Sequence, residues 1–322
     1  MSHSIMVPVT GQGTVVDQNV ARYVPQLMRS GFGFTDVFFY SHGWWTTALS
    51  AMVDYSRFSV GMLEEIVRVA TVGKSRPPSA LQVGIHWPSM ISEDSNSIIS
   101  VLQPLTFYNR AAMADDVGEH GGGAVLQLIA QAAAAANVAL RIHLIGHSFG
   151  CRVVCSSLQS LLGNVDRATL LRHRFNLILL QGAIDTEALD AGRVYGKLLD
   201  AAIGVPNLRV LISTSQQDAA VGTEYPRAWR LVHLFGKKVT GLGATGPSAN
   251  TPGAAAATKV SVGPNYTIPA AAGLRGTNFV VADLTPLHQY RLQNKLYEAD
   301  PHSGSHSDIY VEEVYGLIAG FL

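Results

Sequence analysis

Six short apolar runs punctuate the chain at Asp36–Ser41, Leu81–Trp87, Leu140–Ile145, Phe175–Leu180, Leu208–Ser213 and Phe279–Leu284. Each is too short for a helix and too continuous for a strand with one wet face. The pattern therefore predicts strands buried on both faces, as in a parallel sheet covered by helices. Helix-sized segments lie between them. Tyr108–Ala136 is long and Ala-rich, and Ser148–Leu162 begins directly after a run. In Ser307–Phe321, Tyr310, Val314, Leu317, Ile318 and Phe321 form the stripe of a helix docked on a sheet. Alternation of this kind predicts an α/β fold with a mostly parallel sheet flanked by helices on both faces.

One segment breaks the rhythm. Between Gly241 and Gly273 the composition turns to Gly, Ala, Pro, Ser and Thr, with a single Lys. That predicts a long surface loop or insertion, at about 236–276, in a single domain spanning 1–322. It is either an inert excursion or a lid.

Composition narrows the class. Of 322 residues, 48% are hydrophobic and 14% charged, which excludes a disordered chain and argues against a long coiled coil. Lys plus Arg equals Asp plus Glu at 23 each, and no run of basic residues stands out, so no nucleic-acid partner is expected. The first residues, Met1-Ser-His-Ser-Ile-Met6, lack a basic region followed by an apolar core, which points to a cytoplasmic protein. The Ala-rich Gly121–Leu140 stretch is a weak membrane span and a good helix running into a strand, so no transmembrane segment is expected. Cys151 and Cys155 sit four apart, as two small buried hydrophobes on one helix face, and no His or Cys pair completes a metal site with them.

The chemistry concentrates in Gly146-His147-Ser148-Phe149-Gly150, which follows an apolar run and opens an apolar-patterned helix. A serine hydroxyl is a weak nucleophile and must be raised toward a base. A sharp strand-to-helix turn raises it, and glycines at 146 and 150 spare that turn collisions with neighbouring chain. The helix dipole then favours a developing oxyanion. A dinucleotide fingerprint is excluded because His147-Ser148 occupies its critical positions, and Gly11 with Gly13 lacks the third glycine.

On these residues, with Tyr40-Ser41-His42-Gly43-Trp44-Trp45 and His86-Trp87-Pro88-Ser89, the chain resembles the α/β-hydrolase superfamily from about Asp36 onward. Within it, it looks like bacterial serine hydrolases that pair an HG-aromatic turn with a WPS strand end. The resemblance implies an oxyanion hole made of the backbone N–H groups of Trp44 and Phe149, with Gly43 allowing close approach to the substrate. Trp45 is either a packing residue beside the strand end or part of the substrate site. The resemblance also implies a structural hydrogen bond for His42 and leaves WPS without a catalytic role. The superfamily order Ser, acid, His puts the acid at Asp218, with Asp185 as the alternative that could instead cap a helix near Thr186. Of His288, His302 and His306, it favours His306 as the base.

The expectation is a serine esterase using no cofactor or metal. Its substrate is a small ester, with Trp44, Trp45 and Phe149 favouring an apolar part. Thioesterase, acyltransferase and peptidase activities use the same machinery, and a non-catalytic binding scaffold is the alternative of a different class. Oligomeric state is not legible.

Overall fold

The computed structural model describes residues 2–44, 46–74, 77–89, 109–232, 239–267, 272–297 and 303–322. Eight strands among them form one sheet: β1 Ser2–Pro8, β2 Asp36–Ser41, β3 Ala80–His86, β4 Arg141–His147, β5 Arg174–Leu180, β6 Leu208–Thr214, β7 Thr258–Ser261 and β8 Phe279–Asp283. Their order is β1-β3-β2-β4-β5-β6-β8-β7, and every pair is parallel. The fold is α/β, as the alternating runs predict.

Both faces are covered. Val37 and Phe39 of β2 point into one core with α1 (Val20–Arg29), α3 (109–135) and α4 (Gly150–Asn164). Phe38 and Tyr40 point into the other, with α2 (Ala48–Val72) and the C-terminal helix α7 (Glu312–Phe321). Between α4 and α7 run α5 (Tyr225–Val232) and α6 (Thr285–Gln293). On α7, Val314, Leu317, Ile318 and Phe321 are all fully buried, and each such side chain adds about 1.5–3 kcal/mol of hydrophobic stabilisation. Cys151 and Cys155 are buried free thiols on α4, and burial pushes both thiols up. No helix among the described residues is long and apolar enough to cross a membrane.

Three features differ from the sequence reading. Strand β1 appears in no apolar run, because as an edge strand it is half wet, and only Val7 among its residues is fully buried. Helix α3 carries a π-helical turn at Val117–Gly122, where it crosses α4 so closely that a Cβ on Gly122 would meet the Ser157 hydroxyl at 2.1 Å. The Gly241–Gly273 stretch is not one long loop. It holds a helical turn at Leu242–Thr245 and strand β7, which pairs with β8 at the sheet edge. Leu242 and Val262 are fully buried, and Leu242 N–H donates to Ile184 O at 2.8 Å.

The chain enters at one edge, folds β2, steps outward to β3, crosses over β2 to form β4, and then proceeds toward the far edge. The connections leaving β2 and β4 therefore run to opposite sides. This reversal of direction between β2 and β4 is the switch point outside whose strand C-terminal ends open α/β sheets hold ligands.

Candidate active site

The register sets the site's first contact. Ser41 of β2 lies opposite Gly146 of β4, so two residues further on Gly43 and Ser148 lie level. A Cβ on Gly43 would sit 2.7 Å from Ser148 Cβ and 3.3 Å from its Oγ, so only glycine fits there. Ser148 itself adopts φ +57°, a left-handed conformation that costs a non-glycine residue roughly 1–2 kcal/mol. The turn is held by Ser148 N–H donating to Leu180 O and by Ala183 N–H donating to Ser148 O, each at 3.1 Å. The two glycines meet the sterics their positions demand. A Cβ at 146 would lie 2.5 Å from Gly150 O, and one at 150 would lie 2.1 Å from Ser41 O.

Asp218 and His306 come from two loops stitched together at the C-terminal ends of the strands. Ser305 N–H donates to Gln217 O at 3.0 Å, and Ala220 N–H donates to Ser303 O at 3.3 Å. Across this seam His306 Nδ1–H donates to Asp218 Oδ2 at 2.8 Å. The second carboxylate oxygen accepts from Val221 N–H at 2.9 Å. Asp218 is 1% exposed and His306 8% exposed, so water competes little for this pair. The bond fixes the tautomer: with Nδ1 donating, Nε2 of a neutral His306 is left with its lone pair.

The other candidates are engaged elsewhere. Asp185 accepts from the Tyr225 hydroxyl, and the chain after it runs in turns, so it caps no helix at Thr186. His288 is buried on α6, where Ser215 Oγ–H donates to its Nδ1 at 2.8 Å and its Nε2–H donates to Asp308 O at 3.1 Å. His302 and Trp45 lie outside the described residues.

His147 links the Ser148 turn to His306. Its Nε2–H donates to the His306 carbonyl at 2.8 Å, and the two rings pack with centroids 4.8 Å apart. Burial, and after it the charge of His306, push the His147 imidazole down to about 3, so it is neutral at physiological pH. The Ser148 hydroxyl and His306 Nε2 are not hydrogen-bonded to each other in this arrangement. Catalytic hydrogen bonds are often long without substrate and tighten when it binds.

The loop after β2 is clamped from below. His42 Nδ1–H donates to Gly43 O at 2.7 Å, and Nε2 accepts from Trp87 N–H at 3.3 Å. The Trp87 ring stacks on the imidazole at 5.5 Å and 6°, and its indole N–H donates to His42 O at 3.3 Å. Burial pushes His42 down to about 3, so its role is a neutral brace. Ser89 Oγ accepts from Thr46 N–H at 2.9 Å and donates to Thr46 O at 3.0 Å. The WPS strand end, silent in the sequence, is thus a bracket for the loop that carries Gly43 and Trp44. Trp44 packs its ring against Phe149 at 6.0 Å, bringing together the two residues that follow Gly43 and Ser148.

The sequence reading missed the parts played by His147, Trp87 and Ser89. Each works through a contact made across strand ends, and residue spacing along one chain carries no signal for such a pairing. Set against protein-family models, curated proteins and solved structures, the chain matches none.

Proposed function

We propose that the chain is a serine hydrolase of the α/β-hydrolase superfamily that cleaves carboxylic esters. One observation carries this reading: a serine held at positive φ on a strand-to-helix turn, with a carboxylate-bound imidazole anchored through its backbone to the residue before that serine. The buried Asp218–His306 bond orients the imidazole and offsets the charge it gains on protonation.

In the proposed cycle Ser148 Oγ attacks the ester carbonyl carbon while its proton passes to His306 Nε2. The carbonyl oxygen takes up negative charge facing the backbone N–H groups of Trp44 and Phe149. Such a donor is worth roughly 2.7–4 kcal/mol of barrier. His306 returns the proton to the leaving alkoxide, giving an alcohol and an acyl-Ser148. Water, deprotonated by the same imidazole, then releases the carboxylic acid and restores the serine. The aromatic pair Trp44 and Phe149 supports a substrate with an apolar portion beside the acyl carbon.

Labelling with a fluorophosphonate followed by peptide mapping tests the reading, together with turnover of a short p-nitrophenyl ester. Modification should fall on Ser148, and Ser148→Ala should lose label and at least about a thousandfold in kcat. A labelled, active Ser148→Ala protein ends the proposal. Absence of turnover with an intact fold would favour the binding-scaffold alternative.

A further inference from the structure

At the end of the sheet opposite Ser148, a cleft of about 950 Å³ opens among the first residues of the central strands. It lies roughly 20 Å from the nucleophile, the length of a seven-residue strand. Arg141, Arg167, Arg174, Arg209 and Arg275 line it. No two of them adjoin in sequence, so no basic run betrays the patch in a chain whose formal net charge is zero.

Two acidic side chains line the cleft, and both are committed. Asp36 binds Arg141 at 2.7 Å and the buried His143 at 2.9 Å. Asp200 accepts from the N–H groups of Ala202 and Ile203 within its own turn. Even counting a carboxylate at Leu322 on the rim, guanidiniums are in excess. The Arg174 and Arg275 side chains are exposed, and neither guanidinium makes a hydrogen bond or ion pair among the described residues. Arg209 is fixed by its bonds to Thr277 O at 2.8 Å and Leu274 O at 3.2 Å, with its guanidinium 4.2 Å above the Phe321 ring. Burial, and after it the like charge of Arg174, lower the Arg209 guanidinium from its ordinary value. Like charges gathered in a concave site with apolar walls, such as Phe38, Ile66 and Pro206, focus a positive field.

We propose that this cleft is a binding site for a multiply charged phosphate compound of small-molecule size. Guanidinium forks match phosphate oxygens in pairs, and the volume falls in the range of small-molecule pockets. The site is separate from the Ser148 region, so the inference stands or falls independently of the esterase reading. The phosphate groups could come from an inorganic polyphosphate or from an organic one, whose carbon skeleton would use the apolar walls.

The test is calorimetric titration of the full chain at 150 mM salt with sodium pyrophosphate and, separately, with ADP. Saturable binding is expected, weakened about tenfold or more in the Arg174→Gln/Arg275→Gln double variant and unchanged in Arg29→Gln, an exposed control on α1. Pyrophosphate equal to ADP would assign an inorganic source, and tighter ADP an organic one. If the double variant fails to fold, the rim variant Arg275→Gln carries the same comparison. The proposal is overturned by no saturable binding of either probe, by equal weakening in the control, or by an oligonucleotide binding more tightly than both.

Discussion

Ser148 pays its left-handed backbone strain into a turn that tolerates no bulk around it. Gly43 is the most exacting neighbour, because its missing Cβ leaves the space that Ser148 occupies. Gly43→Ala should leave the fold intact and lower kcat by about a hundredfold, the usual consequence of displacing a reacting group by an ångström. Ester turnover beside a circular dichroism spectrum checks this. His147 is a positioning residue of a different kind. His147→Ala leaves the His306 carbonyl without its donor, which costs roughly 1–3 kcal/mol, and frees the loop carrying His306. The expected result is a lower kcat with KM nearly constant, partly rescued in His147→Gln, whose amide can donate from a similar place. Equal losses in both variants would mean that ring packing on His306, rather than the hydrogen bond, does the positioning.

At the scale of elements, the loop after β2 depends on the end of β3. Ser89→Ala removes both bonds to Thr46, and Trp87→Phe removes the indole donor to His42 while keeping a ring. Ser89→Ala should reduce turnover more than it reduces melting temperature, because the lost bonds hold the loop that carries a proposed oxyanion donor, whereas Trp87 is fully buried and Trp87→Phe should lower both. Deleting Gly241–Gly273 should destabilise the protein outright. The stretch contributes β7 and the buried Leu242, and Ser215 N–H donates to Gly243 O at 2.8 Å. A stable deletion variant with altered substrate preference would restore the lid idea.

These elements also show how far the sequence reading reached. The six apolar runs coincide with six of the eight strands because those strands are buried on both faces, where continuous hydrophobicity and strand length are the whole signal. Strand β1 escaped because an edge strand alternates, and β7 because four residues in a Gly- and Ala-rich stretch carry almost no pattern. The pairing of His306 with Asp218 rests on chain order and loop position. The brackets formed by Trp87, Ser89 and His147 depend on which strand ends become neighbours, and that is decided by the crossover from β3 to β4.

For the whole molecule, buried histidines set a pH limit: burial lowers His42 and His147, and it lowers His143, His173, His288 and the half-buried His86 in the same direction. His42 and His147 are both held near 3, against an ordinary value of 6.5. Below 6.5 the unfolded chain takes up protons that the folded chain refuses, so stability falls with acidification until the folded groups also protonate. Each contributes about 1.4 kcal/mol per pH unit through that window. Through these two groups, urea unfolding at pH 7 and pH 5 should differ by about 4 kcal/mol, with pH 7 the more stable, and the other lowered histidines act in the same direction. His147→Gln should reduce the difference by about 2 kcal/mol. A stability that is level or rising toward pH 5 would show that these imidazoles are solvated.

The level placement of Gly43 and Ser148 follows from one pairing, Ser41 opposite Gly146. A slip of β2 by a single residue would bring the His42 or Trp44 side of the loop against Ser148 and exchange which side chains face each core. Such a misaligned species would keep its helices, its sheet and a near-native far-ultraviolet spectrum, yet its serine would be obstructed. Titration with an active-site label would then count correctly aligned molecules in a refolded sample, a quantity that spectroscopy of secondary structure does not see.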